Sequence, residues 1–125
     1  MEEKGSGHGM TVRSALENPL IQGGAPEVLS GEAGLDREIR WAHAGDAPNL
    51  AERLRGGEFL LTTGIGFGDD PKAQRRFVAD LADRDVAALL LELGQIFSEA
   101  PGALVQEARE RDFTLIVLHR EIPFV

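Results

Sequence analysis

Three short apolar runs, separated by two amphipathic segments, constrain the fold of this chain more than any other feature. The runs cover residues 59–63, 86–93 and 113–118 and are apolar at most successive positions. A strand without alternation of apolar and polar residues is typical of a sheet that is covered on both faces. The three runs therefore predict neighbouring strands in the interior of such a sheet.

Two helices are predicted between these strands. The first begins at Asp69-Asp70-Pro71, which combines a capping side chain, negative charge and a proline in the first turn. The second begins at Ser98-Glu99-Ala100-Pro101. Their apolar stripes consist of Phe77, Val78 and Leu81 in the first helix and of Leu104, Val105 and Ala108 in the second. Because strands and helices alternate at this length, we expect an α/β domain with a mostly parallel sheet, βαβαβ in its second half.

The first half of the chain predicts short strands and helices that cover or extend this sheet. Thr11 is placed to cap a short helix that Pro19 ends, and residues 28–30 are expected to be extended. Residues 37–44 have a period of two, with Ile39, Trp41 and His43 on one face. This pattern predicts a half-buried strand in which the tryptophan and the histidine point the same way.

A further short helix is expected after that strand. It would open at Asp46-Ala47-Pro48, bury Leu50 and Leu54, which lie four residues apart, and close at Gly56-Gly57. No internal repeat and no linker follow residue 10, so these elements belong to the same unit as the three apolar runs.

The length of 125 residues corresponds to one domain. The opening sequence MEEKGSGHGM has no apolar periodicity, so we expect residues 1–9 to be a flexible tail or a cloning remnant. The folded domain then covers residues 10–125. Its last residues, 122–125, are apolar and follow a buried strand directly, which predicts that the protein continues beyond residue 125.

Charge and composition exclude several classes of function for this domain. The chain has 13 basic and 21 acidic residues, a formal net charge of −8, which argues against direct binding to DNA or RNA. It has no cysteine, so disulfides and cysteine-ligated metals are excluded. No apolar stretch reaches the ~18–20 residues of a membrane span, and no secretory signal follows the start. We expect a cytoplasmic protein that makes no membrane contact.

The glycine-rich segment Gly64-Ile65-Gly66-Phe67-Gly68 lies between a predicted strand and a helix, where dinucleotides bind in some folds. Its spacing does not fit the dinucleotide fingerprint, because Asp69 or Pro71 stands where the third glycine is needed. No Gly-Lys-Ser/Thr of a phosphate-binding loop occurs, no histidine pair has metal-ligand spacing, and no serine lies in a nucleophile elbow. The sequence therefore predicts no cofactor, no metal and no enzymatic activity.

Ligands in open parallel sheets gather beyond the carboxyl ends of the strands. In this chain those positions hold Thr62, Thr63 and Gly64 after the first apolar run, and Glu92 and Gly94 after the second. His43, on the face of Trp41, is a further candidate. These six residues form the predicted ligand site, although threonines in strands, glycines in turns and a solvated carboxylate are equally consistent with purely structural roles.

Five segments resemble one known family. They are MTVRSALENPL at 10–20, VLSGEAGLDREIRWAH at 28–43, LRGGEFLLTTG at 54–64, LELG at 91–94 and VLHREIPFV at 117–125. In this order and spacing they resemble the N-terminal domain of purine catabolism regulator-like (PucR-type) bacterial transcription regulators. The chain departs from the family pattern at Gly45-Asp46, where a Ser-Glu pair is usual, and at His119, where proline is commoner.

The resemblance implies a regulatory domain that senses a small metabolite, purine-related in the best-known cases, and controls a helix-turn-helix DNA-binding domain absent from this chain. Two alternatives stay open. One is a self-association or protein-interaction module without its own ligand, for example a homodimer formed through an apolar patch near Ile122, Phe124 and Val125 or through the first helix. The other is an enzyme acting on a nucleotide or phosphate substrate at the Gly64–Gly68 loop.

Overall fold

The computed structural model describes residues 10–46 and 50–123, and its central feature is a five-stranded sheet. In chain order the helices and strands are α1 (Val12–Leu16), α2 (Pro19–Gln22), β1 (Pro26–Ser30), β2 (Trp41–Ala44), β3 (Glu58–Thr62), α3 (Pro71–Asp83), β4 (Ala88–Glu92), α4 (Gly102–Glu110) and β5 (Leu115–Leu118). Short 3₁₀ helices lie at Glu32–Gly34 and Leu50–Arg53.

The sheet confirms the predicted fold class. Its strand order is β1-β5-β4-β3-β2, with β2, β3, β4 and β5 parallel and β1 antiparallel to β5. The three apolar runs form the three inner strands β3, β4 and β5, connected by α3 and α4. The first half of the chain supplies both edge strands and thus extends the sheet on either side.

Helices α3 and α4 cover one face of the sheet. Leu60, Leu89 and Leu91 point into this core and meet Val78 and Leu81 of α3. Every residue of β4 is buried, which explains why its sequence shows no alternation. Asp70 caps α3 by accepting a hydrogen bond from the Lys72 N–H at 3.0 Å. Helix α4 begins at Gly102, directly after the predicted start at residues 98–101, and Pro101 is its N-cap.

The other face is covered by the two short helices. Val12 and Ala15 of α1 and Ile21 of α2 are buried in a cluster with residues such as Phe59 and Leu90 of the sheet. Thr11 and Ser14 form a reciprocal capping box at the start of α1. Proline at position 19 does not simply end this helix, as expected, but opens α2 at the first helical position, behind the N-cap Asn18.

The prediction of a half-buried strand over residues 37–44 is wrong in two respects. Only Trp41–Ala44 form a strand, and all four residues are exposed. The strand lies at the edge of the sheet, outside the three inner strands that α3 and α4 cover.

The helix expected to open at Asp46-Ala47-Pro48 is observed only as the 3₁₀ turn Leu50–Arg53, since residues 47–49 lie outside the described part of the chain. Its predicted contacts are confirmed, because Leu50 and Leu54 are buried. The tail predicted at 1–9 and residues 124–125 of the expected apolar patch also lie outside the described residues, whereas Ile122 is buried. No helix in the described ranges is long and apolar enough to cross a membrane.

Candidate functional site

The carboxyl end of β3 is held by Asp46, which follows the neighbouring strand β2. Oδ1 of Asp46 accepts hydrogen bonds from the Thr63 N–H at 3.0 Å, from the Gly64 N–H at 3.2 Å and from the hydroxyl of Thr62. The Gly64 N–H also approaches Oγ1 of Thr62 at 3.2 Å. These contacts converge on one carboxylate oxygen, so the strand end is built as a small cluster of donors around a negative charge.

Gly64 turns the chain away from the sheet directly after this cluster. Its φ of +94° lies in the region that favours glycine. A Cβ atom here would lie 2.6 Å from Cε2 of Phe97 and 3.1 Å from Cζ of Phe67. The glycine is therefore required both by the turn and by the aromatic side chains packed against it.

Glu92 ends the next strand and is buried, with 6% of its surface exposed. Its Oε2 accepts a hydrogen bond from the Ile122 N–H at 3.0 Å. Within the described residues its other oxygen, Oε1, has no hydrogen-bond or ionic partner. Burying a carboxylate oxygen without a hydrogen-bond donor is unfavourable in free energy. The described protein atoms supply no donor to Oε1, so a bound molecule that donates a hydrogen bond to it would be stabilised here.

Glu92 and the Asp46 cluster border the same cavity. This strand-end cavity has a volume of about 220 Å³, and its wall comprises Ala44, Gly45, Asp46, Leu61, Thr62, Thr63, Glu92 and Ile122. A second cavity of about 200 Å³ lies on the α3 side of Asp46 and Thr62 and is bordered by Phe67, Arg76 and Phe77 among others. The two cavities share Gly45, Asp46 and Thr62 in their walls.

Three of the six predicted ligand-site residues, Thr62, Thr63 and Glu92, line the strand-end cavity together. Gly64 follows them without lining it. Gly94 lies in an exposed turn, where its N–H donates to the Phe97 carbonyl at 2.8 Å.

His43 lies on the exposed edge strand and borders a different groove, beside Trp41 and Leu54. It does not reach the strand-end cavity. The other histidine in the described residues, His119, pairs through Nε2 with Glu27 at 2.8 Å.

Sequence reasoning missed Asp46, because it placed this residue at the start of a helix. The relevant clue was the parallel pairing of two predicted strands. In a parallel pair the residues that follow each strand meet at the same edge, so an acid two residues after β2 reaches the N–H groups that follow β3. Glu58 was also missed: it is buried at the start of β3 and accepts from the N–H groups of Arg55 at 2.6 Å and Gly56 at 2.9 Å.

The strand-end cavity offers hydrogen-bond acceptors and hydroxyl groups. Asp46 and Glu92 are both acidic, and no Lys or Arg borders this cavity among the described residues. The arrangement therefore suits a neutral or cationic ligand rich in N–H groups better than a phosphate or other anion. In the described ranges no group of three or more His, Asp and Glu side chains is placed to hold a metal ion.

Comparison with known proteins assigns the chain to a family. The model of the purine catabolism regulatory protein-like family, PucR, matches residues 14–125. The chain is 29% identical over 98 residues to the transcriptional activator PmfR of Paenarthrobacter nicotinovorans, and 24% identical over 113 residues to the purine catabolism regulatory protein of Bacillus subtilis (strain 168). These alignments cover 78% and 90% of the chain but 21% of each relative, so the chain spans about a fifth of the length of the curated relatives it matches.

One solved structure has a similar fold. It contains the CBS and DRTGG domains of the regulatory region of a Clostridium perfringens pyrophosphatase, complexed with the activator diadenosine tetraphosphate. The match has a TM-score of 0.53 and 16% sequence identity, and covers 82% of this chain and 40% of that one. At this identity the similarity concerns the fold alone.

Proposed function

This chain belongs to the purine catabolism regulatory protein-like (PucR) family, and we propose that it is the domain of a bacterial transcription regulator that senses a small purine-related metabolite. The named relatives are a transcriptional activator and a regulatory protein, which supports a regulatory role rather than catalysis. Contact with DNA would be made by a helix-turn-helix domain in another part of a longer cytoplasmic protein. The net charge of −8 keeps this domain itself away from nucleic acid.

The observation that carries the ligand proposal is the free oxygen of Glu92. This carboxylate is buried, holds Ile122 with one oxygen and has no described partner for the other. A ring or amide N–H of a ligand in the strand-end cavity would supply the missing donor. Purine bases and the ureides formed by their breakdown carry several such N–H groups on a small neutral framework.

Size and charge narrow the ligand class further. A cavity of about 220 Å³ is smaller than the ~300–1,000 Å³ typical of sites for drug-sized ligands, which favours a small metabolite. The two carboxylates would repel phosphate groups. We therefore propose a base or ureide rather than a nucleotide, although the pyrophosphatase with the similar fold is described with a nucleotide activator.

A ligand at this place would act through the segment that contains Ile122. The Ile122 N–H is bound by the same carboxylate that would receive the ligand. A ligand that draws Glu92 into the cavity changes the strength of this hydrogen bond and thereby the position of residues 119–123. Two arrangements of this segment, populated in different proportions with and without ligand, would pass the message to the rest of the regulator.

Isothermal titration calorimetry with xanthine and with allantoin tests this proposal. We expect one of these probes to bind, and Glu92→Gln to weaken that binding about 10- to 100-fold, since a hydrogen bond to a charged group contributes roughly 1.5–3 kcal/mol. The glutamine retains an acceptor for the Ile122 N–H. Thr63→Val should weaken binding less, and Glu99→Gln, at an exposed site away from the cavity, is the matched control.

Two results would contradict the ligand assignment. One is that neither probe, nor any purine base in a wider thermal-shift screen, binds the folded protein. The other is that a probe binds with equal affinity to the parent chain and to Glu92→Gln.

A further inference from the structure

The two edges of the sheet differ in how well they are protected. At one edge, β1 begins with Pro26, shows a register irregularity between Val28 and Ser30, and has the Leu29 carbonyl bound by Nε of Arg109 at 3.3 Å. These features block the addition of another strand. The opposite edge, β2, has the sequence Trp-Ala-His-Ala, without proline, lysine or any acidic side chain.

The outer side of β2 is open within the described residues. Residues 10–12 pair antiparallel with residues 37–39, which lie just before β2 in the chain. The Val12 N–H donates to the Arg37 carbonyl, and the Ile39 N–H donates to the Met10 carbonyl. No described residue continues this pairing along Trp41–Ala44. Trp41, the only tryptophan of the chain, has 50% of its surface exposed. This is unusual, because tryptophan is largely buried in most proteins.

We propose that β2 pairs antiparallel with β2 of a second copy of this chain, across a two-fold axis, to give a continuous ten-stranded sheet. An isologous contact of this kind needs a surface that is complementary to itself, and an antiparallel strand pair meets that condition for its backbone. Four neutral residues allow two copies, each with a net charge of −8, to approach without placing like charges opposite one another.

The backbone of β2 limits the registers that such a pair can adopt. Gly45 donates its N–H inward to the Leu61 carbonyl at 3.0 Å, so by alternation His43 also directs its backbone groups to β3, while Ala42 and Ala44 direct theirs outward. Outward groups must face outward groups across the axis. Registers that pair at least three residues of β2 with the partner's β2 therefore place the axis either through a pair of Ala42 residues or through a pair of His43 residues.

Backbone contacts decide between these two registers. Centring on Ala42 pairs Arg40 with the partner's Ala44, but the Arg40 N–H already donates to the Gly57 carbonyl at 2.8 Å. Centring on His43 pairs Ala42 with the partner's Ala44, so it uses only backbone groups of β2 that are directed outward. The same register lays Trp41 over the partner's Gly45 and brings the two copies of His43 together, so the second register is the one we propose.

The apolar surroundings of β2 add to the contact. On the face of α1 and α2, Ala42 borders a groove together with Met10 and Leu20, which are 53% and 44% exposed. The strand pair itself is only four residues long, well short of the ~800 Å² per partner of a standard interface. We therefore expect a weak dimer, with a dissociation constant on the order of 10–100 µM.

Cysteine substitution tests both the contact and its register, because the chain has no cysteine of its own. In the proposed dimer two copies of residue 43 form a non-hydrogen-bonded pair with Cα atoms ~4.5 Å apart, within the range of a disulfide. Two copies of residue 44 lie diagonally, ~7–8 Å apart, beyond that range. At pH 8 under mild oxidation, His43→Cys should form a covalent dimer, and the matched variant Ala44→Cys should remain largely monomeric.

Sedimentation equilibrium of the unmodified chain gives the second test. We expect His43→Lys, which brings two ammonium groups together at the axis, to weaken dimerisation at least 10-fold while leaving the unfolding curve unchanged. A parent chain that stays monomeric at 500 µM would overturn the proposal. Preferential cross-linking of Ala42→Cys would overturn the register, and dimerisation only after deletion of residues 1–9 would indicate that this segment occupies the edge instead.

Discussion

Replacing Asp46 is the most direct test of how the strand-end site is built. In Asp46→Ala the Thr63 N–H loses the only hydrogen bond that the described structure provides for it, and the hydroxyl of Thr62 loses its acceptor. The Gly64 N–H keeps a second contact, to Oγ1 of Thr62. Three hydrogen bonds to the carboxylate are thus lost, and only the Gly64 N–H retains another acceptor. Because these contacts are part-buried, we expect destabilisation by about 2–3 kcal/mol.

Asp46→Asn separates the hydrogen bonds from the charge, because its amide oxygen can still accept from the same donors. We expect it to cost only about 1 kcal/mol. Urea unfolding followed by circular dichroism measures both values. Asp69→Ala is the control, because Asp69 is exposed in the following loop and has no partner among the described residues. It should change the unfolding free energy by less than ~0.5 kcal/mol. If Asp46→Ala unfolds like the Asp69→Ala control, Asp46 does not hold the end of β3.

Two further outcomes follow from backbone geometry and from ion pairing. Gly64→Ala should lower the free energy of unfolding by about 2–4 kcal/mol, because the residue has a positive φ and its new Cβ would lie 2.6 Å from Phe97. Gly94→Ala is the control: with φ +110° and no atom within 4 Å of the new Cβ, it should lower the free energy by about 1–2 kcal/mol. Equal losses of stability in thermal unfolding would show that the aromatic contact is irrelevant. The hydrogen bond and charge of Arg13 lower the pKa of Asp36 below its ordinary 3.8. This pair therefore stabilises the fold above pH 3.8, and its contribution is lost as pH falls through the lowered pKa. An NMR titration in which the pKa of Asp36 is not lowered would contradict this.

The inner part of the fold could be predicted because burial on both faces leaves a direct trace in the sequence. All five residues of β4 are buried, and the corresponding run is apolar at every position except Glu92. An edge strand leaves no such trace. The alternation of Ile39, Trp41 and His43 indicates a face that is buried only if another element covers it, and whether one does depends on the packing of the whole chain. The exposure of β2 was therefore not predictable from its own residues.

The candidate site was predictable in position but not in its connections. The rule that strand ends gather ligands led to Thr62, Thr63 and Glu92, which border one cavity. The partners of these residues, Asp46 and Ile122, come from segments 16 residues before Thr62 and 30 residues after Glu92. Such pairings depend on which strands become neighbours, and local sequence patterns do not contain that information.

The ligand and the dimer proposals meet at residues 45 and 46. Gly45 donates to Leu61, and Asp46 accepts from Thr63 and Gly64 in the wall of the strand-end cavity. In the proposed dimer Gly45, the neighbour of Asp46, faces Trp41 of the partner. A ligand that changes how Asp46 is held would therefore change the affinity of one copy for the other. Dimerisation would then change ligand affinity by the same factor, because the coupling free energy between two binding events is reciprocal. A domain built in this way would couple ligand binding to a symmetric assembly without any large rearrangement of its sheet.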